Sequence, residues 1–220
     1  MKSSDVREHY KDSEVASEYD AERFVSFVGR WFDILEKRTI IRALNYVKNR
    51  VPEAVVLDAP CGTGRITEVL LRQNFDVTGG DISPAMIDVA KKKCESISDD
   101  FKTIILDLDK PDMPELSYDL VSCIRLFHHL ESSKRKSILC NIAKLSRRYV
   151  LINVSYSSPY YRFRRRVKKF LGQGVSKTSS TYAEIEDEIN AANLAIVKWY
   201  RVLPLVSEDM VLLLEKKQVD

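Results

Sequence analysis

Short unbroken apolar runs alternate with helically spaced apolar positions along most of the chain. Unbroken runs are typical of strands buried on both faces of a parallel sheet, and spacings of three and four residues are typical of helices. The alternation predicts a doubly wound, mostly parallel α/β sheet with right-handed crossovers. The seven predicted strands are Val55–Asp58, Asp76–Asp81, Phe101–Leu106, Tyr118–Ile124, Tyr149–Tyr156, Leu194–Leu203 and Val211–Lys217.

The end of the chain departs from this parallel pattern. A helix is expected from about Tyr182, opened by a possible capping box of Thr181 and Glu184. Only about seven residues separate the last two predicted strands, too few for a crossover helix. We therefore expect a C-terminal antiparallel hairpin.

Residues 1–50 carry no strand signal. Apolar and aromatic positions recur at helical spacings in three stretches, Tyr10–Tyr19, Phe24–Trp31 and Ile34–Tyr46. No Gly- or Pro-rich linker follows them. We therefore expect an N-terminal helical cap over 1–50 that belongs to the same domain as the Rossmann-like α/β unit of 51–220.

Composition narrows the class of protein. The chain has 220 residues, 45% of them hydrophobic, with only 7 Gly and 7 Pro, which suits one large globular domain. A net charge of +3 is too small to indicate nucleic-acid binding by itself.

The cysteines and the N-terminus bear on compartment. Cys61, Cys94, Cys123 and Cys140 form no C-x-x-C pair and no metal-ligand spacing with the three histidines. We expect free thiols, a reducing compartment and no metal site. The N-terminus has no apolar signal core, and no apolar run approaches the ~20 residues that cross a bilayer. The sequence therefore predicts a cytoplasmic protein.

The candidate chemistry begins where the first strand meets a glycine-containing loop, Asp58–Arg65. In open α/β sheets, ligands bind outside the carboxyl ends of the strands, against a helix N-terminus. A dinucleotide fingerprint needs a third glycine, and that position is Thr67. Asp58 would repel a pyrophosphate and attract a cationic ligand. The alternative is a tight turn without a ligand.

The segment Leu-Asp-Ala-Pro-Cys-Gly-Thr-Gly resembles the first motif of class I S-adenosylmethionine-dependent methyltransferases, usually D-x-G-x-G-x-G, with Pro60 replacing the first glycine. In that family the acidic residue supports the methionine end of the cofactor, and the glycines let the backbone approach it. The resemblance implies S-adenosylmethionine as the cofactor. The positions that it implies for cofactor binding in this loop are Asp58, Ala59, Pro60, Cys61, Gly62, Gly64 and Arg65.

A second acidic residue, Asp81, ends the next predicted strand, nineteen residues past Gly62. A carboxylate there can accept both ribose hydroxyl protons, although it can also be a solvated or helix-capping residue. The resemblance further implies that Asp107 binds the adenine amino group. The other cofactor contacts that we expect are Ile82, Met86, Leu108, Ile124 and Arg125, with Tyr10 and Tyr19 from the cap unless these are ordinary packing aromatics.

The segment after strand four, Arg-Leu-Phe-His-His-Leu-Glu, resembles small-molecule methyltransferases in which this motif often ends His-His-Leu. It does not resemble the Asn/Asp-Pro-Pro-aromatic motif of enzymes that methylate nucleobase amines. His128 and His129 are candidate general bases, because imidazole transfers protons at neutral pH. A packing role beneath the loop is the alternative for each. Tyr156, Tyr160 and Tyr161 are predicted to line the acceptor pocket.

A basic helical insertion is expected at about 157–180. Phe163, Val167, Phe170 and Leu171 recur at helical spacing, while Arg and Lys crowd the opposite face, and a Gly/Ser/Thr linker follows. Three interpretations remain open: a lid over an anionic or lipid-linked sugar substrate, an interfacial helix on the inner, anionic membrane surface, or a solvated face.

The resemblance therefore implies a methyltransferase, and we expect it to act on a small-molecule or lipid- or sugar-linked acceptor. One alternative is a non-catalytic cofactor-binding module with a regulatory or assembly role. The other is an RNA methyltransferase that holds phosphates with the basic segment.

Overall fold

The computed structural model of the chain describes residues 27–157, 160, 161, 166, 170, 179–203 and 207–217. Seven strands form one sheet: β1 Val55–Asp58, β2 Asp76–Asp81, β3 Lys102–Ile105, β4 Tyr118–Cys123, β5 Ser146–Ser155, β6 Leu194–Arg201 and β7 Asp209–Lys216. The α-helices of the described ranges are α1 Phe27–Lys48, α2 Arg65–Arg72, α3 Pro84–Cys94, α4 Ser132–Leu145 and α5 Tyr182–Ala191, with a 3₁₀ turn at Phe127–His129.

The sheet order is β3-β2-β1-β4-β5-β7-β6. Strands β1 to β5 pair in parallel, and β7 lies antiparallel between β5 and β6. The predicted doubly wound sheet with its C-terminal hairpin is therefore confirmed. The direction of strand order reverses between β1 and β4, which is the place where open α/β sheets bind ligands.

The strand register places the tips of β1, β2 and β4 side by side. Asp58, the last residue of β1, lies opposite Gly79 on one neighbour and Ser122 on the other. The loop after β1 also leans on β2, since the amide of Cys61 donates to the carbonyl of Gly80 at 2.8 Å. The glycine loop and the carboxyl ends of three strands thus share one edge.

Both faces of the sheet are covered, as the unbroken apolar runs indicated. Neighbouring residues of each central strand point to opposite sides, so each strand contributes to two cores. One core contains Leu57, Val121 and Ile152 with Leu139, Ile142 and Ile185 of helices α4 and α5. The other contains Val56, Leu120 and Leu151 with Ile40, Leu44 and Leu70 of helices α1 and α2.

Helix α1 unites two stretches that the sequence pattern separated. It runs without a break from Phe27 to Lys48 and buries Ile40, Leu44 and Val47 against the sheet. No Gly or Pro breaker stands between Trp31 and Ile34. Tyr10 and Tyr19 lie outside the described residues, so their predicted contact with the cofactor stays a prediction.

Local signals placed two helix starts correctly. Ser83 accepts a hydrogen bond from the amide of Met86 and caps α3. Thr181 accepts from the amide of Glu184, and the Glu184 carboxylate accepts from the amide of Thr181 at 2.7 Å, which completes the predicted capping box. No helix within the described ranges is long and apolar enough to cross a bilayer.

Candidate functional site

Two glycines give the loop between β1 and α2 its path. Gly62 has a φ of 54° and Gly64 a φ of 80°, a left-handed conformation that side chains disfavour. A Cβ on Gly64 would lie 3.0 Å from the Cys94 sulfur and 3.2 Å from the Cα of Ala90. A Cβ on Gly62 would meet no atom of the described residues within 4 Å. Gly64 therefore lets α2 begin directly against α3, whereas no described residue packs against the Cβ side of Gly62.

This difference predicts unequal effects of two alanine substitutions. We expect Gly64→Ala to lower the free energy of unfolding by about 2–4 kcal/mol, since it adds a steric clash to the backbone strain. Gly62→Ala keeps only the strain and should cost about 1 kcal/mol. Urea unfolding of the two variants measures the difference. Equal losses would contradict the close approach of α2 and α3.

Asp81 ties the loop to the start of α3. Its carboxylate is buried, and it accepts hydrogen bonds from the amide of Gly62 at 2.9 Å and from the amide of Ser83 at 3.0 Å. Burial raises the pKa of Asp81, while these backbone donors act against the rise. An ionised carboxylate has about four acceptor positions, so the two bonds leave capacity for ligand hydroxyl groups.

Asp58 is buried beside it at the tip of β1. One carboxylate oxygen, Oδ2, accepts from the Thr67 hydroxyl at 2.7 Å, while Oδ1 has no hydrogen-bond partner among the described residues. Burial raises the pKa of Asp58 to about 6, and the nearby Asp81 carboxylate adds to the rise. The neighbouring Thr67 and Ser122 hydroxyls and the Arg65 charge act against it. A buried carboxylate oxygen without a donor is costly, which favours a cationic or hydrogen-bonding ligand here.

Two predicted cofactor-binding arginines engage a residue that the sequence did not single out, Glu36 of α1. This carboxylate is fully buried and pairs with Arg65 Nη2 at 2.9 Å and with Arg125 Nε at 2.9 Å. Arg65 also pairs with Asp33 at 2.5 Å. Asn153 of β5 donates to Glu36 and accepts from the Arg125 amide at 2.7 Å. The two guanidinium groups thus join α1 to the site edge, and any direct contact with a cofactor stays a prediction.

The candidate histidines have different surroundings. His128 Nδ1 lies 3.0 Å from the Ser155 hydroxyl, and its side chain is only 7% exposed. His129 is exposed, and its amide closes a turn onto the Leu126 carbonyl at 3.0 Å. Both lie just past the tip of β4, on the same edge as Asp58. The structure therefore gives His128 a polar setting to which another element, β5, contributes Ser155.

The remaining predicted cofactor contacts flank this edge. Asp107 accepts from the amide of Asp109 at 2.9 Å, and the carbonyl of Leu108 accepts from the Asn141 side chain at 2.9 Å. These bonds fix the loop after β3 where an adenine contact is predicted. Met86 and Ile124 are buried, and Ile82 is half-buried. Tyr161 donates to the Ser207 carbonyl at 2.6 Å, next to the predicted acceptor side.

Sequence reasoning missed five polar residues that build this edge: Glu36, Thr67, Asn153, Ser155 and Asp209. One signal was available for Glu36. It lies four residues before Ile40 and eight before Leu44, so it is a charge on the apolar stripe of α1. The others occupy strand ends and a helix interior, where a single polar residue gives no distinctive pattern.

All four cysteines lie in described ranges and carry free thiols. Burial raises the pKa of Cys61 well above its ordinary value, with Asp58 and Asp81 adding to the rise. Within the described ranges, no group of three or more His, Cys, Asp or Glu residues is placed to hold a metal ion.

Comparisons with known proteins find methyltransferases among the proteins that are similar to this chain. A magnesium protoporphyrin IX methyltransferase of Arabidopsis thaliana is 26% identical over 144 residues, which are 66% of this chain and 46% of the relative. A ubiquinone biosynthesis O-methyltransferase of Xylella fastidiosa is 31% identical over 134 residues, or 57% of this chain and 52% of the relative. The chain thus spans about half the length of these curated relatives.

A solved structure shares the fold over nearly the whole chain. The crystal structure of magnesium protoporphyrin IX methyltransferase from Synechocystis PCC 6803 with bound SAH has a TM-score of 0.79 and 18% identity. The superposition covers 97% of this chain and 99% of that chain. Residues 56–148 match the methyltransferase domain profile, and that range includes the glycine loop and Asp81. Residues 56–148 are therefore similar to methyltransferase domains, and the chain has the fold of the class I S-adenosylmethionine-dependent methyltransferases.

Proposed function

We propose that this protein is an S-adenosylmethionine-dependent methyltransferase that transfers a methyl group to a small-molecule acceptor. The observation that carries the proposal is a pair of buried carboxylates, Asp58 and Asp81, at the tips of two adjacent parallel strands. The loop between them is opened by Gly62 and Gly64. The methyltransferase domain match over the same residues supports this chemistry.

The residues present fit this cofactor. Asp58 Oδ1 is a buried acceptor without a donor among the described residues, which suits the cationic methionine end. Asp81 retains acceptor capacity for ribose hydroxyls. Among the described residues, none lies within 4 Å of the position of a Cβ on Gly62. Two solved structures of the Synechocystis enzyme are described with bound SAH and bound SAM, which supports the assignment.

When bound, S-adenosylmethionine supplies a methyl group on a positively charged sulfur, whose leaving group is neutral. The protein then has to orient the acceptor, exclude water and take a proton where the acceptor carries one. The two carboxylates and the glycine loop bind and orient the cofactor. His128 is the candidate proton acceptor, because its side chain is nearly buried and its Nδ1 lies 3.0 Å from the Ser155 hydroxyl.

The acceptor that we propose is a small molecule, free or lipid-linked. Relatives are named for methylating magnesium protoporphyrin IX or demethylmenaquinone, or for O-methylation in ubiquinone biosynthesis. These names all refer to the chemistry of small molecules. Turnover on a panel of such acceptors would separate this enzyme from a cofactor-binding module without activity. RNA binding that falls steeply with salt would favour an RNA methyltransferase instead.

Calorimetric titration of S-adenosylmethionine tests the cofactor site. We expect Asp81→Asn to weaken binding by about ten- to a hundredfold, since a hydrogen bond to a charged group contributes about 1.5–3 kcal/mol. Asp76→Asn is the matched control, because Asp76 is exposed at the opposite end of the same strand. If Asp81→Asn bound the cofactor as tightly as Asp76→Asn, the proposed site would be wrong.

We also propose that the basic segment 160–171 rests on an anionic membrane surface. Its described residues support this, since Tyr160 is 51% exposed, Phe170 is 90% exposed and Arg166 is exposed. Exposed aromatic and basic side chains together favour the interface between lipid headgroups and water. Most of the segment, with Arg164 and Arg165, lies outside the described residues.

Vesicle binding tests this second proposal. Changing Arg164, Arg165 and Arg166 together to Glu should reduce binding to anionic vesicles by about tenfold or more, at about 1 kcal/mol per basic residue near the surface. Changing Lys91, Lys92 and Lys93 to Glu makes the same change in charge at the end of α3 and is the control. If both triple variants lost vesicle binding to the same extent, the loss would reflect net charge alone and the proposed membrane contact would be wrong.

A further inference from the structure

Three polar side chains from three separate elements meet at the edge of the sheet that carries the proposed site. They are His128 in the 3₁₀ turn after β4, Ser155 at the end of β5 and Asp209 at the start of β7. The Ser155 hydroxyl lies 3.0 Å from His128 Nδ1 and 3.0 Å from Asp209 Oδ1. The histidine side chain is 7% exposed and the aspartate side chain 2%. Packing and hydrogen bonds thus hold the imidazole ring from two strands.

The hydrogen bonds of this cluster determine which ring nitrogen of His128 carries the proton. Asp209 is an acceptor at both oxygens, because Oδ1 accepts from Ser155 and Oδ2 accepts from the Ser207 hydroxyl at 2.9 Å. The single hydrogen of the Ser155 hydroxyl is therefore used on Asp209. The serine oxygen can only accept from the imidazole, so Nδ1 must carry the ring proton. In the neutral ring, the lone pair is then on Nε2.

The carboxylate also lies near the second ring nitrogen. Nε2 of His128 is 3.8 Å from Asp209 Oδ1, which is beyond a hydrogen bond but within the range of an ion pair. A proton taken up at Nε2 would create an imidazolium beside a buried carboxylate. The opposite charge stabilises that product.

We propose that Ser155 and Asp209 are positioning residues that hold His128 with its proton on Nδ1, so that Nε2 is the proton acceptor of methyl transfer. The inference rests on the proposed function and narrows the acceptor to a class with an O–H or N–H at the methylated atom. A lone pair of that atom forms the bond to the methyl carbon, and the carbon–sulfur bond breaks with its electrons left on sulfur. The acceptor proton goes to Nε2 and afterwards to solvent.

The tautomer can be measured without cofactor or acceptor. The chain has three histidines, His9, His128 and His129. Two variants, each with one histidine replaced by Gln, are therefore enough to assign the ¹⁵N signals of histidine-labelled protein. At a pH where the ring is neutral, we expect Nδ1 of His128 to be protonated. In Ser155→Ala the signal should move toward the Nε2–H form that free imidazole prefers, and Ser155→Thr should restore Nδ1–H. A parent protein with the proton on Nε2 would overturn the inference without any substitution.

Turnover supplies the second measurement. With an acceptor that the parent methylates, Ser155→Ala should lower kcat by about ten- to a hundredfold and leave cofactor affinity unchanged, and Ser155→Thr should recover most of the loss. Unchanged kcat in Ser155→Ala would overturn the positioning role. Failure of the proposed function itself would look different, because the parent would then bind no cofactor whatever the His128 tautomer.

Discussion

Replacing Glu36 with Ala should lower the free energy of unfolding by about 3–5 kcal/mol, the cost of leaving buried charge without its partner. Glu36 is fully buried and holds two guanidinium groups, those of Arg65 and Arg125. Without it, Arg65 keeps its pair with Asp33, whereas Arg125 loses the carboxylate that its Nε and Nη2 contact. The buried cluster then carries an excess positive charge.

The same substitution should reach the proposed cofactor site. Arg65 is the first residue of α2, directly after the glycine loop, and Arg125 follows the tip of β4. Arg125 also has a φ of 70°, a strained conformation. The hydrogen bond from its backbone amide to the Asn153 side chain helps to hold this conformation. We therefore expect weaker S-adenosylmethionine binding in Glu36→Ala, because the loop and the strand tip lose a shared anchor.

Urea unfolding and calorimetric titration measure these two effects. Glu53→Ala is the control, because Glu53 is exposed shortly after α1 and should change stability by less than about 0.5 kcal/mol. Glu36→Gln keeps an acceptor oxygen and should lose less than Glu36→Ala. A loss in Glu36→Ala as small as that of the control would show that the network contributes no net stability.

This network marks the limit of what the sequence could predict. Strand β2 was predicted as Asp76–Asp81 and has those bounds, and Ser83 caps α3 as expected. Such features depend on neighbours along the chain, since caps, breakers and apolar runs act within a few residues. The doubly wound, mostly parallel sheet was predictable as well, because alternating strands and helices have few right-handed solutions.

Contacts between distant parts of the chain were not predictable in this way. Glu36 meets Asn153 across 117 residues, and Ser155 meets Asp209 across 54. Apolar spacing shows which face of a helix is buried but not which polar group it meets there. The start of β5 at Ser146, three residues before the expected Tyr149, has a local cause, since the chain passes from α4 into the strand without a loop.

Asp58→Asn should remove a pH-dependent loss of stability. Burial raises the pKa of Asp58 to about 6, from an unfolded value near 3.8. Between these values the folded protein keeps a proton that the unfolded chain has released, so stability falls as pH rises from about 4 to about 6. The loss attributable to this group is about 3 kcal/mol, since one pKa unit corresponds to about 1.4 kcal/mol. The asparagine side chain of the variant would keep an acceptor for Thr67 without an ionisable group.

Urea unfolding at pH 4 and pH 7 measures this contribution as the difference between parent and variant. We expect similar stabilities at pH 4 and a more stable Asp58→Asn at pH 7. Asp76→Asn, at an exposed position, should follow the parent at both pH values. If parent and Asp58→Asn had parallel pH profiles, the buried carboxyl group would not be titrating with a raised pKa.

The same titration should couple to cofactor binding. A cationic ligand beside Asp58 favours its ionised form and lowers its pKa, so binding at about pH 5.5 should release part of a proton. Affinity for S-adenosylmethionine should accordingly fall as pH drops from about 7 to about 5.

Calorimetry in two buffers of different ionisation enthalpy measures the released proton. In Asp58→Asn both the proton release and this pH dependence should be reduced, and the contribution of Asp81, whose pKa is also raised, would remain. Proton release that is undiminished in the variant would assign the linkage to another group and remove Asp58 from the cationic end of the site.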